Sequence, residues 1–345
     1  MKEFYLIIQN IDASMQWEIP YDNFSIVQEK NADRSAQFSF RRDMLQSILD
    51  KYSMTPYQLF KGSYREAYLY DEDDNLIYSG FVDEMQTNSG MEDSGTVSIT
   101  SKGFFSLLHK RITSVLRTYS AQDAGDIAWD LINYTQGLTY GALGITRGVH
   151  PATINRDRTY RFEYIDTAIE GLSNKNILNG FDFEITNEKV FNIFYPEKGD
   201  FRSNIIIEYG HNIDGYQITE NGLTGLVNQA VVIGENFGDD IVSVTRDAEN
   251  DYKAAYGLLQ ETVSEKDVQE AATLQDKGDK FLANWKFPRK TINVDLKFDS
   301  PLFTNYEVGD RIKVKIAQEN VDEYYRVERR TLDDAGKVNL TLYPI

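Results

Sequence analysis

Arg311-Ile312-Lys313-Val314-Lys315-Ile316, Tyr324-Tyr325-Arg326-Val327-Glu328-Arg329 and Val338-Asn339-Leu340-Thr341-Leu342 form a triplet that decides the fold, because the chain has already spelled its pattern once. The later triplet opens at Gly309, turns through Gln318 to Val321, and turns again at Asp333-Asp334-Ala335-Gly336. The earlier one opens at Gly62 and runs Tyr64-Arg65-Glu66-Ala67-Tyr68-Leu69-Tyr70. It turns through Asp71 to Asn75, returns as Leu76-Ile77-Tyr78-Ser79-Gly80-Phe81-Val82, and passes a loop with Gly90 and Gly95 into Thr96-Val97-Ser98-Ile99-Thr100. Alternating apolar and polar residues, rich in β-branched and aromatic types and broken by Asp, Asn and Gly, predict half-buried antiparallel strands. Each triplet reads as a meander. Order and spacing agree between the copies while residue identity barely does, so the pattern fits a duplication or two like meanders arising independently in a β-rich chain.

Working outward, Phe4 to Gln9, Gln16 to Ile19, Phe24 to Glu29 and Ala36 to Arg41 read as strands before the first meander, with a short helix at Asp43 to Lys51. Phe104 to Leu108 reads as a helical connector. A middle region follows. Ser120 is the expected N-cap of a helix whose stripe is Ala124, Ile127, Ala128, Leu131 and Ile132, with Asp123 and Asp126 near its positive end and Gly137 at its close. Arg158 to Tyr164 alternates as a strand, and Ile165, Ala168, Ile169 and Leu172 form a second helical stripe. Phe181 to Ile185 and Val190 to Tyr195 make a hairpin across Asn187-Glu188. Trp129, off the stripe, is expected to pack against a neighbouring sheet. Strands resume at Ile205 to Tyr209, Tyr216 to Glu220, Leu226 to Gly234 and Ile241 to Thr245. Helices are expected at Asn250 to Thr262 and, after Ser264, at Glu265 to Trp285 with Val268, Ala272, Leu282 and Trp285 on one face; Pro288 stops the latter. Thr291 to Phe298 leads into the second meander.

Composition narrows the function. The 345 residues allow about two domains or more, and 41% hydrophobic content with 22 Tyr and 19 Phe suits broad, half-exposed sheets. Without any Cys, disulfides and thiolate metal sites are excluded. The three His residues, His109, His150 and His211, lie far apart in sequence. The apolar run Phe4 to Ile8 is too short for a signal segment, and no stretch reaches the length of a membrane span. Synthesis in the cytoplasm is the expectation. Lys and Arg total 36 against 54 Asp and Glu, a net charge of -18, which disfavours gripping nucleic acid or anionic lipid and favours solubility.

No HExxH, GxSxG or GxxxxGK[ST] occurs, and Gly137, Gly141 and Gly144 lack dinucleotide-loop spacing, so no catalytic, cofactor or metal residue is assigned. Asp71-Glu72-Asp73-Asp74 lacks the alternation and glycine of a calcium loop and reads as a solvated hairpin tip. Arg41-Arg42, Arg329-Arg330 and Lys286 with Arg289-Lys290 are basic spots in an acidic chain. They suit surface ion pairs worth about 0 to 1 kcal/mol each, or, for Arg41, Arg42, Arg329 and Arg330, contacts with acidic patches of neighbouring subunits.

Ala128-Trp129-Asp130-Leu131-Ile132, Leu138 to Ile145, Asp157 to Phe162, Ala168 to Ser173 and Gly180 to Phe183, followed by Leu226 to Gly234 and Tyr256-Gly257, resemble the minor tail and baseplate hub proteins of tailed bacteriophages. The resemblance runs from about residue 110 onward and rests on packing and turn signatures. It implies a β-rich α+β chain with two similar antiparallel β-barrel domains flanking α/β insertions. Residues 1–105 would form the first barrel, 106–202 the α+β middle domain, 203–248 with 289–345 the second barrel, and 249–288 a helical insertion. It further implies a structural, non-enzymatic homotrimeric ring at the distal end of the virion tail. That ring would join the tail tube or distal tail protein to a tip, spike or fibre and pass DNA without binding it specifically. A tail-associated cell-wall hydrolase and a host-receptor or carbohydrate-binding module, the latter suggested by the Tyr-rich sheets with Trp17, Trp129 and Trp285, are the competing readings.

Overall fold

The computed structural model describes residues 3–61, 65–89, 95–174, 180–237, 240–248, 251–264, 270–297 and 303–345. Gly62, Tyr64, Gly90, Asn250, Glu265, Val268 and Phe298, used in the sequence reading, lie outside them.

The first β unit contains β1 (Phe4–Asn10), β2 (Gln16–Ile19), β3 (Asn23–Glu29), β4 (Ser35–Arg41), β5 (Arg65–Asp71), β6 (Leu76–Asn88) and β7 (Thr96–Lys102), with α1 (Arg42–Tyr52) and α2 (Pro56–Leu59) between β4 and β5. In α1 the apolar pair Leu45 and Leu49 is buried, Asp43 and Lys51 suit the two ends of the dipole, and Ser53 closes the helix in the left-handed region. The middle unit holds β8 (Arg117–Asp123), α3 (Ala124–Gln136), β9 (Thr146–Arg147), β10 (Asn155–Tyr160), α4 (Ile165–Ser173), β11 (Asp182–Ile185) and β12 (Val190–Phe194). The cap of α3 is Asp123, not Ser120. Its carboxylate accepts from the amides of Gly125 and Asp126, while Ser120 lies within β8 and reaches Asp157 instead. Beyond it come β13 (Phe201–Glu208), β14 (Ile213–Asn221), β15 (Gln229–Phe237), β16 (Asp240–Asp247), α5 (Asp251–Tyr256), β17 (Gln260–Ser264), α6 (Ala271–Trp285), β18 (Arg289–Leu296), β19 (Arg311–Ile316), β20 (Val321–Asp333) and β21 (Val338–Pro344).

The repeat seen in the sequence extends further than three strands. The first unit is ordered β3-β4-β7-β6-β5-β1 and the second β14-β18-β21-β20-β19-β13, the same sequence of equivalents. The long strands β6 and β20 have 13 residues each. Each carries a one-residue bulge against the next strand, between Val82 and Glu84 in β6 and between Val327 and Arg329 in β20. A shared bulge adds the same local twist to both sheets. The outermost strand breaks the likeness: β1 runs antiparallel to β5, whereas β13 runs parallel to β19.

The two units form one sheet of 13 strands, joined where β20 pairs with β3. Among the described residues no pairing closes either unit into a hydrogen-bonded ring. Their inner faces share one core, to which Phe24, Ile26, Phe38 and Phe40 contribute from the first and Val294, Val314, Leu332 and Leu340 from the second. The middle unit has its own core around Phe104, Ile127, Leu131, Ile169 and Phe191. Between β14 and β18 the strands β15, β16 and β17 form a separate sheet, over which α6 packs. The sequence reading placed residues 203–248 in the second barrel and expected a helix over 250–262. The helix is there but shorter, as α5 at Asp251–Tyr256, while β15 and β16 leave the main sheet and β17 pairs parallel to β15. Local periodicity records that a strand is half-buried but not which sheet covers it.

At the base of the second unit Gly199 has φ +102, and a Cβ there would sit 2.1 Å from the carbonyl of Gly309. Gly210, with φ +87, faces open space. Gly199→Ala is therefore expected to cost at least about 3 kcal/mol through both strain and overlap, and Gly210→Ala about 1 kcal/mol through strain alone. Urea midpoints of the two variants check the difference.

Candidate assembly surfaces

The described residues contain no group of three or more His, Cys, Asp or Glu side chains able to hold a metal ion. A cavity of about 30 Å³ between the three units, lined in part by Gln28, Asp33, Phe105, Lys198 and Arg330, has room for little more than a water. Two larger hollows, of about 470 and 430 Å³, lie beside Asp295 and Lys337 and beside Val263 and Trp285. The first is lined by Thr331 with Asp214, Asp333 and Lys297, and the second by Glu261, Thr262 and Ser264 beside Phe281. What the fold builds with care is the contact between its units.

Arg326 of β20 is the centre of that contact. Its guanidinium donates to Asp182 at 2.7 Å, to Glu197 at 2.7 Å, and to the carbonyls of Lys198 at 2.7 Å and Gly309 at 3.2 Å. Asp182 is 0% exposed. It accepts further bonds from Asn31 in the β3–β4 turn and from the amide of Lys198, so residues of all three units meet on one carboxylate. Burial pushes the neighbouring Glu184 carboxyl up, but the Lys198 and Arg34 cations outweigh it and leave the group below its ordinary value. The β11–β12 turn docks on the first unit through Asn187, which accepts from the Ser79 amide at 3.1 Å and donates to the Leu76 carbonyl at 3.2 Å. Sequence reading missed this network. Its one signal is Asp182 between Phe181 and Phe183, a charge within an apolar strand.

Asp33 lies where the β3–β4 turn meets Gly103 and Ser106. Burial pushes its carboxyl up to about 6, against hydrogen bonds from the Ser106 hydroxyl and amide and the Arg34 amide.

The sequence-selected residues separate. Arg41, Arg42 and Arg329 are exposed, Arg41 lying 3.7 Å from Asp43, and Arg329 standing opposite Glu29 in the strand register. Arg330 does not belong with them. It is 7% exposed, donates to Gln28 at 2.6 Å and to the carbonyls of Phe303 and Tyr306, and stacks 3.9 Å from the Phe303 ring; burial lowers its pKa to about 10. Alternation along β20 carries Arg330 inward and Arg329 outward, which no count of basic residues reveals. In the acidic turn, Asp71 is buried and accepts from the amides of Asp73 and Asn75, while Glu72, Asp73 and Asp74 are exposed. Asp71 is thus a turn-former and only the other three are solvated.

Two kinds of surface remain. On the middle unit Ile112, Val115, Leu116, Phe162 and Tyr164 are exposed on adjoining segments, Phe162 with φ 58. On the sheet, among the described residues, the outer edges of β14 and of the second half of β6 carry no paired strand. Open edges offer backbone donors and acceptors to another chain.

No model of a protein family matches the sequence, and no curated protein does. Solved structures do. A tail protein from Neisseria meningitidis MC58 matches with a TM-score of 0.68 at 14% identity, over 99% of this chain and 96% of its own. A prophage tail protein from Listeria monocytogenes EGD-e gives 0.61 at 11%, over 99% and 94%. A component of the E. coli type VI secretion system, described as similar in structure to the bacteriophage T4 tail proteins gp27 and gp5, gives 0.56 at 10%, over 98% and 76%. This chain has the fold of those tail proteins.

Replacing Arg326 by Ala strands Asp182 in the interior, with an expected loss of about 3 to 5 kcal/mol in chemical denaturation. The Asp33 pKa sits above the ordinary 3.8, so its contribution is full below pH 3.8 and is lost as the pH rises through about 6. Asp33→Asn is expected to gain on the order of 2 kcal/mol relative to wild type between pH 4 and pH 7.5. Urea midpoints at the two pH values measure it, and an unchanged difference contradicts the assignment.

Proposed function

We propose that the chain is a structural hub of a phage-like tail, three copies forming a ring that joins the tail tube to the distal tip or spike and leaves a channel for DNA. The observation that carries this reading is the doubled β unit, with its common strand order and common bulge, in a chain that has the fold of tail proteins. Three chains with two like units apiece present six similar units around one axis, so a sixfold tube can meet a threefold tip without a separate adaptor. The middle units and the β15–β17 insertions, present once per chain, keep the threefold order. The chain is read as a scaffold rather than an enzyme because its polar side chains converge on interfaces between units. Its partners are two further copies, the tube or distal tail protein on one side, and the tip, spike or fibre on the other. Exposed Arg41, Arg42 and Arg329 are offered as contacts with acidic surfaces of neighbours.

Three copies carry a charge of -54, three times the -18 of one chain. Duplex DNA carries one negative charge per about 1.7 Å of its axis, and screening over about 8 Å leaves a close wall able to repel it. A channel lined mainly by acidic and neutral groups lets DNA slide, where a basic wall would hold it. No helix among the described residues is long and apolar enough to cross a membrane. The place proposed is the distal end of the virion tail, after synthesis in the host cytoplasm.

Light scattering on the purified chain is expected to give three times the monomer mass at high concentration, with rings in negative-stain images. A monomer at every concentration tested, or clearing of purified peptidoglycan by the chain alone, overturns the reading.

A further inference from the structure

Among the described residues one strand pairing joins the two β units, and in it Arg329 to Asp333 of β20 lie antiparallel to Glu29 to Ser25 of β3. By position in the repeat, β6 corresponds to β20 and β14 to β3. Carrying the bulge and the registers of the intervening strands across places Glu84 to Asn88 where Arg329 to Asp333 stand. It places Gln217 to Asn221 where Ser25 to Glu29 stand. Among the described residues, β6 meets β5 only from Leu76 to Phe81, and β14 beyond its first residue, Ile213, which bridges Tyr209, pairs only with β18. The chain therefore exposes one further copy of each half of its own junction.

We propose that β6 of one copy pairs antiparallel with β14 of the next, Glu84 opposite Asn221 and Asn88 opposite Gln217, repeating between chains the junction that β20 and β3 make within one. This rests on the ring reading and gives it an interface. Burial supports it. Phe24 and Ile26 are 2% and 0% exposed at the internal junction, whereas their counterparts Tyr216 and Ile218 are only partly buried although they pack on the same core. Met85, opposite Glu220 in the proposed register, is likewise half-covered. On the other face Glu84, Gln86 and Asn88 would meet Asn221, Thr219 and Gln217, so no like charges stand directly opposite. The junctions share register, not side chains: the Arg330 to Gln28 hydrogen bond has Met85 and Glu220 as its counterpart, Arg329 opposite Glu29 has Glu84 opposite Asn221, and Leu332 has Thr87. Because the two surfaces are different, each chain uses β6 toward one neighbour and β14 toward the other, the kind of contact that generates a ring when the rotation closes.

A chain without cysteine lends itself to a cross-linking test. Gln86→Cys with Thr219→Cys is expected to give covalent dimers and trimers on oxidation, reversed by reductant. Val27→Cys with Thr331→Cys, the equivalent pair within one chain, should close without a change of mass and calibrates the geometry. Gln86→Cys with Gln217→Cys, two residues out of register, should cross-link at least roughly tenfold more slowly, since its Cα atoms are too far apart. Hydrogen exchange supplies a measurement independent of disulfides: amides in 84–88 and 217–221 should slow about tenfold or more from dilute monomer to assembled protein. An oligomer by light scattering with unchanged exchange at both edges and no cross-link at 86 and 219 overturns this pairing and leaves the ring reading standing. A persistent monomer overturns both, and equal rates for the two cysteine pairs overturn the register.

Discussion

Strand β20 is the element on which the rest of the structure depends. It pairs with β21 along most of its length, with β19 through its first part and with β3 through its last. A strand that satisfies its backbone groups on both sides leaves the least edge to water and fixes register against every neighbour, because a slip by one residue would turn its buried side chains outward. Val327 and Leu332 face the shared core from this strand, while Arg326 and Arg330 leave the same strand to bind carbonyls and carboxylates of other segments. Sheet, core and polar contacts thus converge on 13 residues.

The polar contacts position the middle unit rather than add much net stability. A buried ion pair repays its desolvation only with good geometry and further hydrogen bonds to its lone pairs, and Asp182 has three donors, from Arg326, Asn31 and the Lys198 amide. Such an arrangement tolerates one geometry. The middle unit is set against both β units through this one carboxylate.

Much of the fold was legible. The two meanders, α1, the stripes of α3 and α4 and the β11–β12 hairpin follow from periodicity and turn chemistry, which act within a few residues. The extension of the repeat to six strands was not legible, because β3 and β14 resemble each other only in register, Phe24 answering to Tyr216 and Ile26 to Ile218. Nor was the insertion: Gln229 to Ile233 alternate as well for a small separate sheet as for the large one. In the acidic turn between β5 and β6 the first residue, Asp71, is the buried one that shapes it, which composition alone does not single out.

By itself the sequence determined most of the strand and helix segments, though not β8 or β17, that packing and hydrogen bonds without disulfides hold them, and that a β pattern recurs, since these depend on side-chain type and short spacing. Only the tertiary structure decided that the recurring units share one sheet, that Arg330 is internal while Arg329 is not, and that edges of β6 and β14 stay open. Those are pairings between residues hundreds of positions apart, chosen by which faces can be buried together, and no local pattern records that choice.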